Sequence, residues 1–585
     1  MRRHVVSLYR SRLAKERGYV QKDWGGRLRV ALVYPNRYRV GMSNLGFQWV
    51  YYLFNQREDV VAERAFLPDG HEMSLYHQWG GPLLSLESQR PLNEFHLIAF
   101  SLSFENDYPN ILTLLKLAKI PLLAQDREDA FPLVAAGGVI TFMNPEPLSP
   151  FFDFFVVGEA EPQLDILVDT LYESLSQISS KQELLRTLVG RIPSIYVPAF
   201  YRESYSDRGM LEDFSPINSD IPEKVTVAKS SMEILDPPHS CILSPETEFS
   251  DMMLVELGKG CGRGCRFCAA GYVYRPPRFQ VEERLLDFFT RKQNQRIRWG
   301  LISSALSDVP YLDRLGQFIL EHGCSFSVSS LRADAVTKGL LKAIKAAGQR
   351  TITMAPEAGS ERLRRVINKH LSQDQIIHAV EQIAEEGDLH LRLYFIIGLP
   401  TETWRDVEGI VDLAKVIKHH MVKIGAPKGR VGHIRLSVNC FVPKPFTPFQ
   451  WLPMDPVESL KEKQRWLQKM IAKEGGIRIT YDVTKWAYVQ TLLSVGDRRV
   501  AKILLLVHEN NGDWNKALRH SELNPDFFVY RHKERDERFA WDFLDHGIDK
   551  KYLINEYEKA LASRPSPVCR PESCTLCGVC GGRKS

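Results

Sequence analysis

The segment CGRGCRFC, residues 261–268, places three cysteines within eight residues, shortly after the apolar run MMLVEL. A structural zinc site needs four ligands, and this segment offers three thiols and no histidine. An iron–sulfur cube also has four metal corners, so three thiolates hold three irons and leave the fourth iron open. The spacing therefore favours a catalytic cluster at Cys261, Cys265 and Cys268. A zinc site that a distant residue completes is the alternative.

Strand-like and helix-like segments alternate around these cysteines. The predicted strands are MMLVELG, RWGLISS (298–304), SFSVSSL (325–331), RTITMAP (350–356), LRLYFIIG (391–398) and IRLSVNCF (434–441). Six βα units in about 190 residues predict a partial barrel, in which the carboxyl ends of the strands carry the chemistry. The three cysteines follow the first strand and so lie at that end.

This pattern resembles the radical S-adenosylmethionine (SAM) superfamily. The CxxxCxxC spacing, the placement after the first barrel strand and the aromatic Phe267 before the last cysteine all agree with it. The resemblance implies a [4Fe–4S] cluster whose free iron chelates the amino and carboxylate groups of SAM. It also implies one-electron cleavage of SAM and hydrogen abstraction from a substrate by a 5′-deoxyadenosyl radical. A protein such as flavodoxin or ferredoxin is the expected reductant.

The segment PEAGSERLRRVINK, residues 356–369, resembles the fourth strand of radical SAM enzymes that carry a cobalamin domain or add methylthio groups. By that match Glu357 faces the SAM ribose or amine, and Ser360 begins the following helix. A surface salt bridge is the alternative role for Glu357. The second strand departs from the family, because a Gly-Gly-Glu type sequence usually ends it. Here Ser303 and Ser304 stand in that place, and the contact to the SAM amine stays unassigned.

The segment FIIGLPTET, residues 395–403, resembles the fifth-strand motif that lies near adenine. Gly398 in this motif would admit a flat ring, since it carries no side chain. Arg392 on the same strand is predicted to pair with the SAM carboxylate, because a guanidinium matches carboxylate geometry. A charge at the barrel rim is the alternative for Arg392.

Residues 28 to 175 also alternate between strand and helix patterns. The predicted strands are RVALVYP, FHLIAFSLS, FPLVAAGGV and FFDFFVVGE, and each is followed by a helix-like segment. This order predicts a parallel sheet of Rossmann-like type. Gly137 and Gly138 end the third strand and would let the backbone approach a ligand there, although a tight turn explains them equally well.

A Rossmann-like domain ahead of such a barrel resembles the cobalamin-binding class of radical SAM proteins. The resemblance rests on VGMSNLGFQWVYYLF, on the Gly137-Gly138 loop and on the closing Gly158-Glu159. It implies a cobalamin-binding-like domain and, with cobalamin bound, methyl transfer to a carbon. The sequence has no DxHxxG motif, so no histidine is expected as a lower axial ligand. A domain that keeps the fold and binds another ligand is the alternative. Over its full length the chain is most like an uncharacterised bacterial family of this class.

A second cysteine cluster lies at the end of the chain. Cys569, Cys574, Cys577 and Cys580 follow the spacing C-x4-C-x2-C-x2-C. Four thiolates suit a closed site that holds either zinc or an auxiliary [4Fe–4S] cluster, and the C-x2-C-G-x-C part resembles ferredoxin ligation. A cysteine tail without a redox role is the remaining alternative.

Length and composition predict several α/β domains in a cytoplasmic protein. The chain has 585 residues, 76 basic and 71 acidic side chains and a net charge of +5. This charge is too small to indicate nucleic acid or membrane binding, and no apolar run is long enough to span a bilayer. The predicted parts are a basic N-terminal helix (1–27), the Rossmann-like domain (28–180), an irregular connector (181–250), the partial barrel (251–454) and a mainly helical C-terminal region with the four-cysteine cluster (455–585).

These features predict a radical SAM enzyme whose substrate is RNA, a protein or a small molecule. Methyl transfer with cobalamin is the leading outcome. Sulfur insertion into tRNA or a ribosomal protein is a second enzymatic option, although the N-terminal domain usual for methylthiotransferases is missing. An iron–sulfur electron carrier or scaffold is the non-enzymatic alternative. No residue acting directly on the substrate can be named from the sequence.

Overall fold

A six-stranded sheet forms the first part of the computed structural model, which describes residues 1–129, 132–177, 180–232, 236–292, 297–571 and 574–580. Its strands are β1 (Leu28–Tyr34), β2 (Val60–Phe66), β3 (Leu97–Ser101), β4 (Leu133–Gly137), β5 (Phe154–Val156) and β6 (Ile195–Tyr196). Their order is 2-1-3-4-5-6, with only β6 antiparallel. The sheet confirms the predicted Rossmann-like class, and its inner strands are buried because helices cover both faces.

Strand β2 has no counterpart among the four predicted strands. Its sequence VVAERAF is buried at every position, although Glu63 and Arg64 interrupt the apolar pattern. The fully buried Arg64 guanidinium binds the Glu16 carboxylate at 2.6 Å and the Glu87 carboxylate at 2.6 Å. Ion pairing of this kind makes a buried charge tolerable, and a strand interrupted by charge does not show the usual apolar run.

Helices accompany this sheet along its length. They are α1 (Arg2–Leu13), α2 (Tyr38–Gly41), α3 (Leu45–Gln56), α4 (Gly70–Trp79), α5 (Tyr108–Leu117), α6 (Leu164–Gln177) and α7 (Lys181–Arg191). Helix α1 buries Val5, Tyr9 and Leu13 against the domain, as expected of an amphipathic surface helix. The Asn44 side chain accepts the Phe47 N–H at 2.9 Å and so caps α3, which begins at the edge where the parallel strands end.

The segment predicted as an irregular connector contains regular structure. Helix α7 and strand β6 lie within it, and β6 pairs with β5 of the first sheet. A hairpin follows, formed by β7 (Tyr201–Tyr205) and β8 (Leu211–Pro216), and then the short strand β9 (Val225–Thr226). Strand β6 therefore adds to the first sheet after residue 180.

The second half of the chain forms the predicted partial barrel. Its strands are β10 (Met252–Lys259), β11 (Arg278–Phe279), β12 (Arg298–Ser303), β13 (Ser325–Val328), β14 (Ser330–Leu331), β15 (Thr351–Glu357), β16 (His390–Ile397), β17 (Ile434–Cys440) and β18 (Ile477–Tyr481). All their pairings are parallel except that of β11 with β10. All six predicted segments are strands. SFSVSSL divides into β13 and β14, and β18 adds a parallel strand beyond the predicted end at residue 454.

Helices cover the barrel and continue to the end of the chain. They are α8 (Ala270–Val273), α9 (Glu282–Lys292), α10 (Leu312–Glu321), α11 (Lys338–Ala346), α12 (Glu361–Val366), α13 (Gln373–Glu386), α14 (Trp404–Gly425), α15 (Val457–Ala472), α16 (Thr484–Val495), α17 (Val500–Glu509), α18 (Trp514–His520), α19 (Asp526–Val529) and α20 (Lys550–Leu561). In the part of the chain that the structure describes, no helix is both long and apolar enough to cross a bilayer.

The C-terminal region contacts both sheets. Helix α17 packs against α5, and the Asn144 amide donates to the carbonyls of Ser494 at 3.1 Å and Gly496 at 2.7 Å. Strand β19 (Leu544–Asp545) pairs with β9 of the former connector. The carboxyl end of the first sheet meets the barrel strand β10 at Lys259, which binds Glu161 at 2.7 Å and Glu159 at 3.4 Å.

Candidate functional site

The three-cysteine loop lies directly after β10. Gly260 and Gly264 adopt positive φ angles of +78° and +69°, and the Cys268 N–H donates to the Cys265 carbonyl at 3.1 Å. The Cys261, Cys265 and Cys268 side chains are half-buried on this short turn. Burial, reinforced by the nearby Cys265 and Cys261, raises the pKa of Cys268 to about 12. A bound metal cluster would reverse this effect, because metal coordination deprotonates a thiol.

The fit of a cluster here rests on the donor set. No group of three or more His, Cys, Asp or Glu side chains among the described residues surrounds a common metal position. The three thiols nevertheless share one loop and act on one another electrostatically. Soft thiolates are the ligands that iron–sulfur clusters use. Cys261, Cys265 and Cys268 are therefore the residues that would hold a [4Fe–4S] cluster.

The Arg266 side chain attaches the three-cysteine loop to the segments packed against it. Its fully buried guanidinium donates to the Val366 carbonyl at 2.8 Å, to the Glu556 carboxylate at 3.2 Å and to the Arg564 carbonyl at 2.7 Å. The Asn368 amide adds a bond to the Gly264 carbonyl at 3.1 Å. The segment after α12 and the segment after α20 therefore hold the loop together.

Glu357 lies at the carboxyl end of β15, next to the three-cysteine loop. Its backbone is left-handed, with φ +67°, and its carboxylate binds Lys369 Nζ at 2.9 Å. Burial opposes the charge on Lys369, but the Glu357 carboxylate and Cys265 outweigh burial and raise the pKa of Lys369. Arg332 donates to the Lys369 carbonyl at 3.2 Å. Arg332 also binds the Asp334 carboxylate at 2.9 Å, so two ion pairs lie near the cluster loop.

Lys369 and Arg332 were not predicted as site residues from the sequence. Lys369 closes the quoted segment PEAGSERLRRVINK, so its position in that motif was an available signal. Arg332 follows β14 in a segment whose sequence has no comparable motif.

Ser360 has the place that the sequence predicted, at the start of α12. Its hydroxyl accepts the Leu363 N–H at 3.1 Å and hydrogen-bonds the Asp406 carboxylate. Phe267 is half-buried and packs against the hydrophobic core. Ser303 accepts the Ala305 N–H at 3.2 Å, and Ser304 is exposed. Ser360 and Ser303 therefore organise the local backbone.

Arg392 and Gly398 lie on and just after β16. The Arg392 Nε atom is buried without a hydrogen-bond partner, so its guanidinium has donor capacity that no described residue uses. Gly398 has φ +77°, and its N–H donates to the Glu402 carboxylate at 2.8 Å. A Cβ atom at Gly398 would lie 2.9 Å from the Leu460 side chain and 3.0 Å from Asp455. The glycine thus permits close packing of α15 on this turn.

A cavity of about 550 Å³ lies between the first sheet and the barrel. Gly137, Gly138 and the start of α3 line it on one side, and Glu256, Lys259 and Tyr274 line it on the other. Gly138 has φ +105°, and a Cβ atom there would lie 2.4 Å from the Leu102 carbonyl oxygen. The predicted glycine pair therefore forms part of a cavity wall at the carboxyl ends of the parallel strands, where open α/β sheets bind ligands.

The walls of the cavity are apolar and its edges are polar. Apolar walls with a few convergent polar groups are typical of cofactor and ligand sites. No histidine is among the described residues that line the cavity. The apolar lining includes Leu45, Trp49, Phe54, Phe142 and Val156, and the polar lining includes Ser43, Asn44, Ser101, Ser103 and Gln163.

A cluster of charges lies where the cavity meets β10. Lys259 Nζ is 2.7 Å from the Glu161 carboxylate, 3.4 Å from that of Glu159 and 3.7 Å from that of Glu256. Arg278 also binds Glu159, at 2.6 Å. Burial and the two other carboxylates outweigh Lys259 and raise the pKa of Glu256 to about 7. Glu256 and Lys259 were not predicted as site residues, because they lie within an apolar strand pattern.

The four C-terminal cysteines lie beside the three-cysteine loop. The Cys569 N–H donates to the Gly262 carbonyl at 2.7 Å, and Cys577 is buried. Cys574 and Cys580 are half-buried. The two cysteine clusters are therefore neighbours in the fold although about 300 residues of sequence separate them.

Sequence models of two families match the chain. The family described as radical SAM proteins, N-terminal, matches residues 46–198, and the radical SAM superfamily matches residues 255–414. The first match covers strands β2 to β6 of the six-stranded sheet, and the second covers the barrel from β10 into α14. The matches thus cover the two domains that enclose the cavity and carry the three-cysteine loop.

Several known proteins are similar to the chain. An uncharacterized protein of Methanocaldococcus jannaschii is 29% identical over 529 residues, which cover 90% of this chain and 98% of the relative. An uncharacterized methyltransferase of Pyrococcus horikoshii is 34% identical over 174 residues, covering 28% of this chain and 36% of that protein. The solved structure of the radical SAM methyltransferase TsrM from Kitasatospora setae, with cobalamin and a [4Fe–4S] cluster bound, is 13% identical. It has a TM-score of 0.47 and covers 70% of this chain and 75% of that one.

Proposed function

Because the chain belongs to the radical SAM superfamily, as the three-cysteine spacing predicted, we propose that it is a cobalamin-dependent radical SAM methyltransferase. The observation that carries the cobalamin part is the cavity of about 550 Å³, which Glu256 and Lys259 of β10 line on one side. The three-cysteine loop begins two residues after this strand. A ligand in the cavity and a cofactor on the loop would therefore approach one another.

The groups around the loop would bind and orient SAM. When bound, the [4Fe–4S] cluster and SAM supply a 5′-deoxyadenosyl radical after one-electron reduction. Lys369 and Arg332 offer cationic groups for the SAM carboxylate. Glu357 offers a carboxylate for the amine or the ribose. Arg392 lies near the amino end of β16, opposite Thr353, and is therefore not one of the groups around the loop. The Arg266 network keeps the loop in one conformation, so these groups meet SAM without a rearrangement of the backbone.

The apolar part of the cavity lining suits a corrinoid ring. Trp49, Phe54 and Phe142 would pack against a flat macrocycle. When bound, cobalamin supplies methyl transfer to a carbon atom of the substrate. The absence of a histidine from the described lining agrees with the missing DxHxxG motif.

Glu256 provides a carboxyl group that can be protonated on the β10 side of the cavity. Its pKa of about 7 keeps part of the carboxyl population protonated near neutral pH. Lys259, Glu159 and Glu161 form an ion network around it, which fixes its position. Glu256 is thus the group of this chain that would hold or release a proton beside a cavity ligand.

The proposal is tested by anaerobic reconstitution with iron, sulfide and hydroxocobalamin. Dithionite and SAM should then give 5′-deoxyadenosine, and the purified protein should retain corrinoid absorption bands. The C261A/C265A/C268A variant should form no 5′-deoxyadenosine, whereas C324A, which removes a buried cysteine outside the loop, should behave as the natural protein. Protein with a full iron load that forms no 5′-deoxyadenosine would support the electron-carrier alternative. If the protein cleaves SAM but retains no corrinoid, it is a radical SAM enzyme that does not depend on cobalamin.

A further inference from the structure

The C-terminal tail is attached to the three-cysteine loop at a defined point. The Cys569 N–H donates to the Gly262 carbonyl at 2.7 Å, and the Ser566 N–H donates to the Asn368 side chain at 2.8 Å. Asn368 in turn binds the Gly264 carbonyl at 3.1 Å. The tail thus follows the surface of the loop from Ser566 to Cys569.

A second attachment lies eight residues further along the tail. The Asp549 N–H, at the start of α20, donates to the Cys577 carbonyl at 2.9 Å. Gly578 follows with φ +87°, and a Cβ atom there would lie 3.1 Å from the Gly547 carbonyl oxygen. These two hydrogen bonds attach Cys569 and Cys577 to the body of the protein.

Two cations face the tail between these attachments. The Arg275 guanidinium lies over the Tyr272 ring at 4.7 Å and over the Tyr552 ring at 5.2 Å, and its Nε donates to the Gly271 carbonyl at 2.7 Å. Lys229 donates to the Arg275 carbonyl at 2.6 Å. The charges of both residues act on Cys580, and that of Arg275 acts on Cys569. Fixed cations of this kind would balance the negative charge of a four-thiolate centre.

We propose that Cys569, Cys574, Cys577 and Cys580 hold a second [4Fe–4S] cluster that passes electrons to the cluster on the three-cysteine loop. Four thiolates close every metal corner, so this centre would bind no SAM. One electron from a low-potential one-electron donor would reduce the second cluster, and the same electron would then reduce the first. No bond is made or broken and no proton moves in this transfer. The relay rests on the proposed function, whereas binding of the second cluster does not.

The geometry provides a short connection between the two sites. Cys261 is followed by Gly262, whose carbonyl accepts the N–H of Cys569, so one residue and one hydrogen bond separate a ligand of each site. Leu576, between two of the tail cysteines, is 63% exposed. Solvent and a donor protein can therefore approach the tail at this residue.

Iron content and spectroscopy test the second cluster without any activity assay. The reconstituted natural protein should contain about eight iron atoms per chain, and the C574A/C577A variant about four. The C324A/C440A variant, which removes two buried cysteines outside both clusters, should keep all the iron. The C261A/C265A/C268A variant should keep about four irons and the electron paramagnetic resonance signal of a reduced [4Fe–4S] cluster. One zinc per chain bound at the tail, or a loop variant without iron, would overturn the proposal.

The relay is tested by the rate at which the first cluster is reduced. In C574A/C577A, reduction by flavodoxin should slow by about tenfold, while reduction by the small molecule dithionite should stay within about twofold. An unchanged flavodoxin rate would exclude the relay. If the natural protein carries about eight irons but does not cleave SAM, the second cluster stands and the proposed function fails.

Discussion

Lys369 joins two parts of the site, because its ammonium group binds Glu357 and lies close to the three-cysteine loop. We expect Lys369→Met to weaken SAM binding by about tenfold, since a charge-assisted hydrogen bond to the SAM carboxylate would be lost. Calorimetric titration of the reconstituted protein with SAM measures this change.

The matched control is Lys338→Met, the same substitution at a lysine whose side chain is 62% exposed. It should leave SAM affinity unchanged. If Lys369→Met keeps its iron and its SAM affinity but unfolds more easily, Lys369 has only a structural role.

Glu256 should make stability depend on pH. Its pKa in the folded protein is about 7, above the usual carboxyl value of 4.5, so the folded state holds its proton more tightly than the unfolded state. This stabilisation is complete below about pH 4.5 and is lost as the pH rises through about 7. Glu256→Gln stays neutral, so its stability relative to the natural protein should rise by roughly 2 to 3 kcal/mol between pH 5 and pH 8.

Urea denaturation of both proteins across this pH range gives the difference in unfolding free energy. Glu283→Gln, at an exposed position on α9, is the control and should show no such pH dependence. A constant difference between the natural protein and Glu256→Gln would contradict the raised pKa.

At the scale of single elements, the turn after β4 depends on Gly138. Its φ of +105° suits glycine alone, and an added Cβ would lie 2.4 Å from the Leu102 carbonyl oxygen. We expect Gly138→Ala to reduce the unfolding free energy by roughly 3 kcal/mol or more, because both backbone strain and a clash oppose it. Urea denaturation measures the loss.

Gly348→Ala separates the two effects. Gly348 also has a positive φ, +87°, but no atom lies within 4 Å of its added Cβ. Gly348→Ala should therefore reduce the unfolding free energy only through backbone strain, by roughly 1 to 2 kcal/mol. If both variants lose the same unfolding free energy, the contact of the added Cβ with the Leu102 carbonyl costs nothing.

Local patterns predicted most elements of the fold, and the exceptions have physical causes. Strands β10, β12, β15, β16 and β17 follow the predicted segments closely, because long apolar or alternating runs determine them. Strand β2 was missed because Arg64 and Glu63 lie inside it, and only distant partners such as Glu16 make those charges tolerable. Strand β18 was missed because its five residues, IRITY, are short and lie among helices.

At the scale of the whole molecule, the residues of the candidate site also divide into those that a motif predicts and those that no motif marks. The cysteines, Glu357, Ser360 and the glycine pair lie in recognisable motifs, so the sequence predicts them as site residues. Lys259, Glu256 and Arg332 belong to the site only because distant segments meet, and no local signal marks such residues. The contact between Gly262 and Cys569 likewise depends on the final packing of the chain.

The whole-molecule proposal places a corrinoid between the two domains, and filling that space tests it directly. Gly46 lies in the first turn of α3 on the cavity wall, and an added Cβ would meet only the Asn44 side chain, at 3.4 Å. An indole there has room to extend from the helix into the cavity. We expect Gly46→Trp to abolish retention of corrinoid while the iron content stays that of the natural protein.

The control places the same side chain away from the cavity. Gly190 lies on an exposed face of α7, and no atom lies within 4 Å of its added Cβ. Gly190→Trp should therefore retain corrinoid, as measured by absorption of the purified proteins after reconstitution with hydroxocobalamin. Since the three-cysteine loop is unaltered in both variants, both should still form 5′-deoxyadenosine. If Gly46→Trp retains as much corrinoid as Gly190→Trp, the corrinoid does not occupy this cavity.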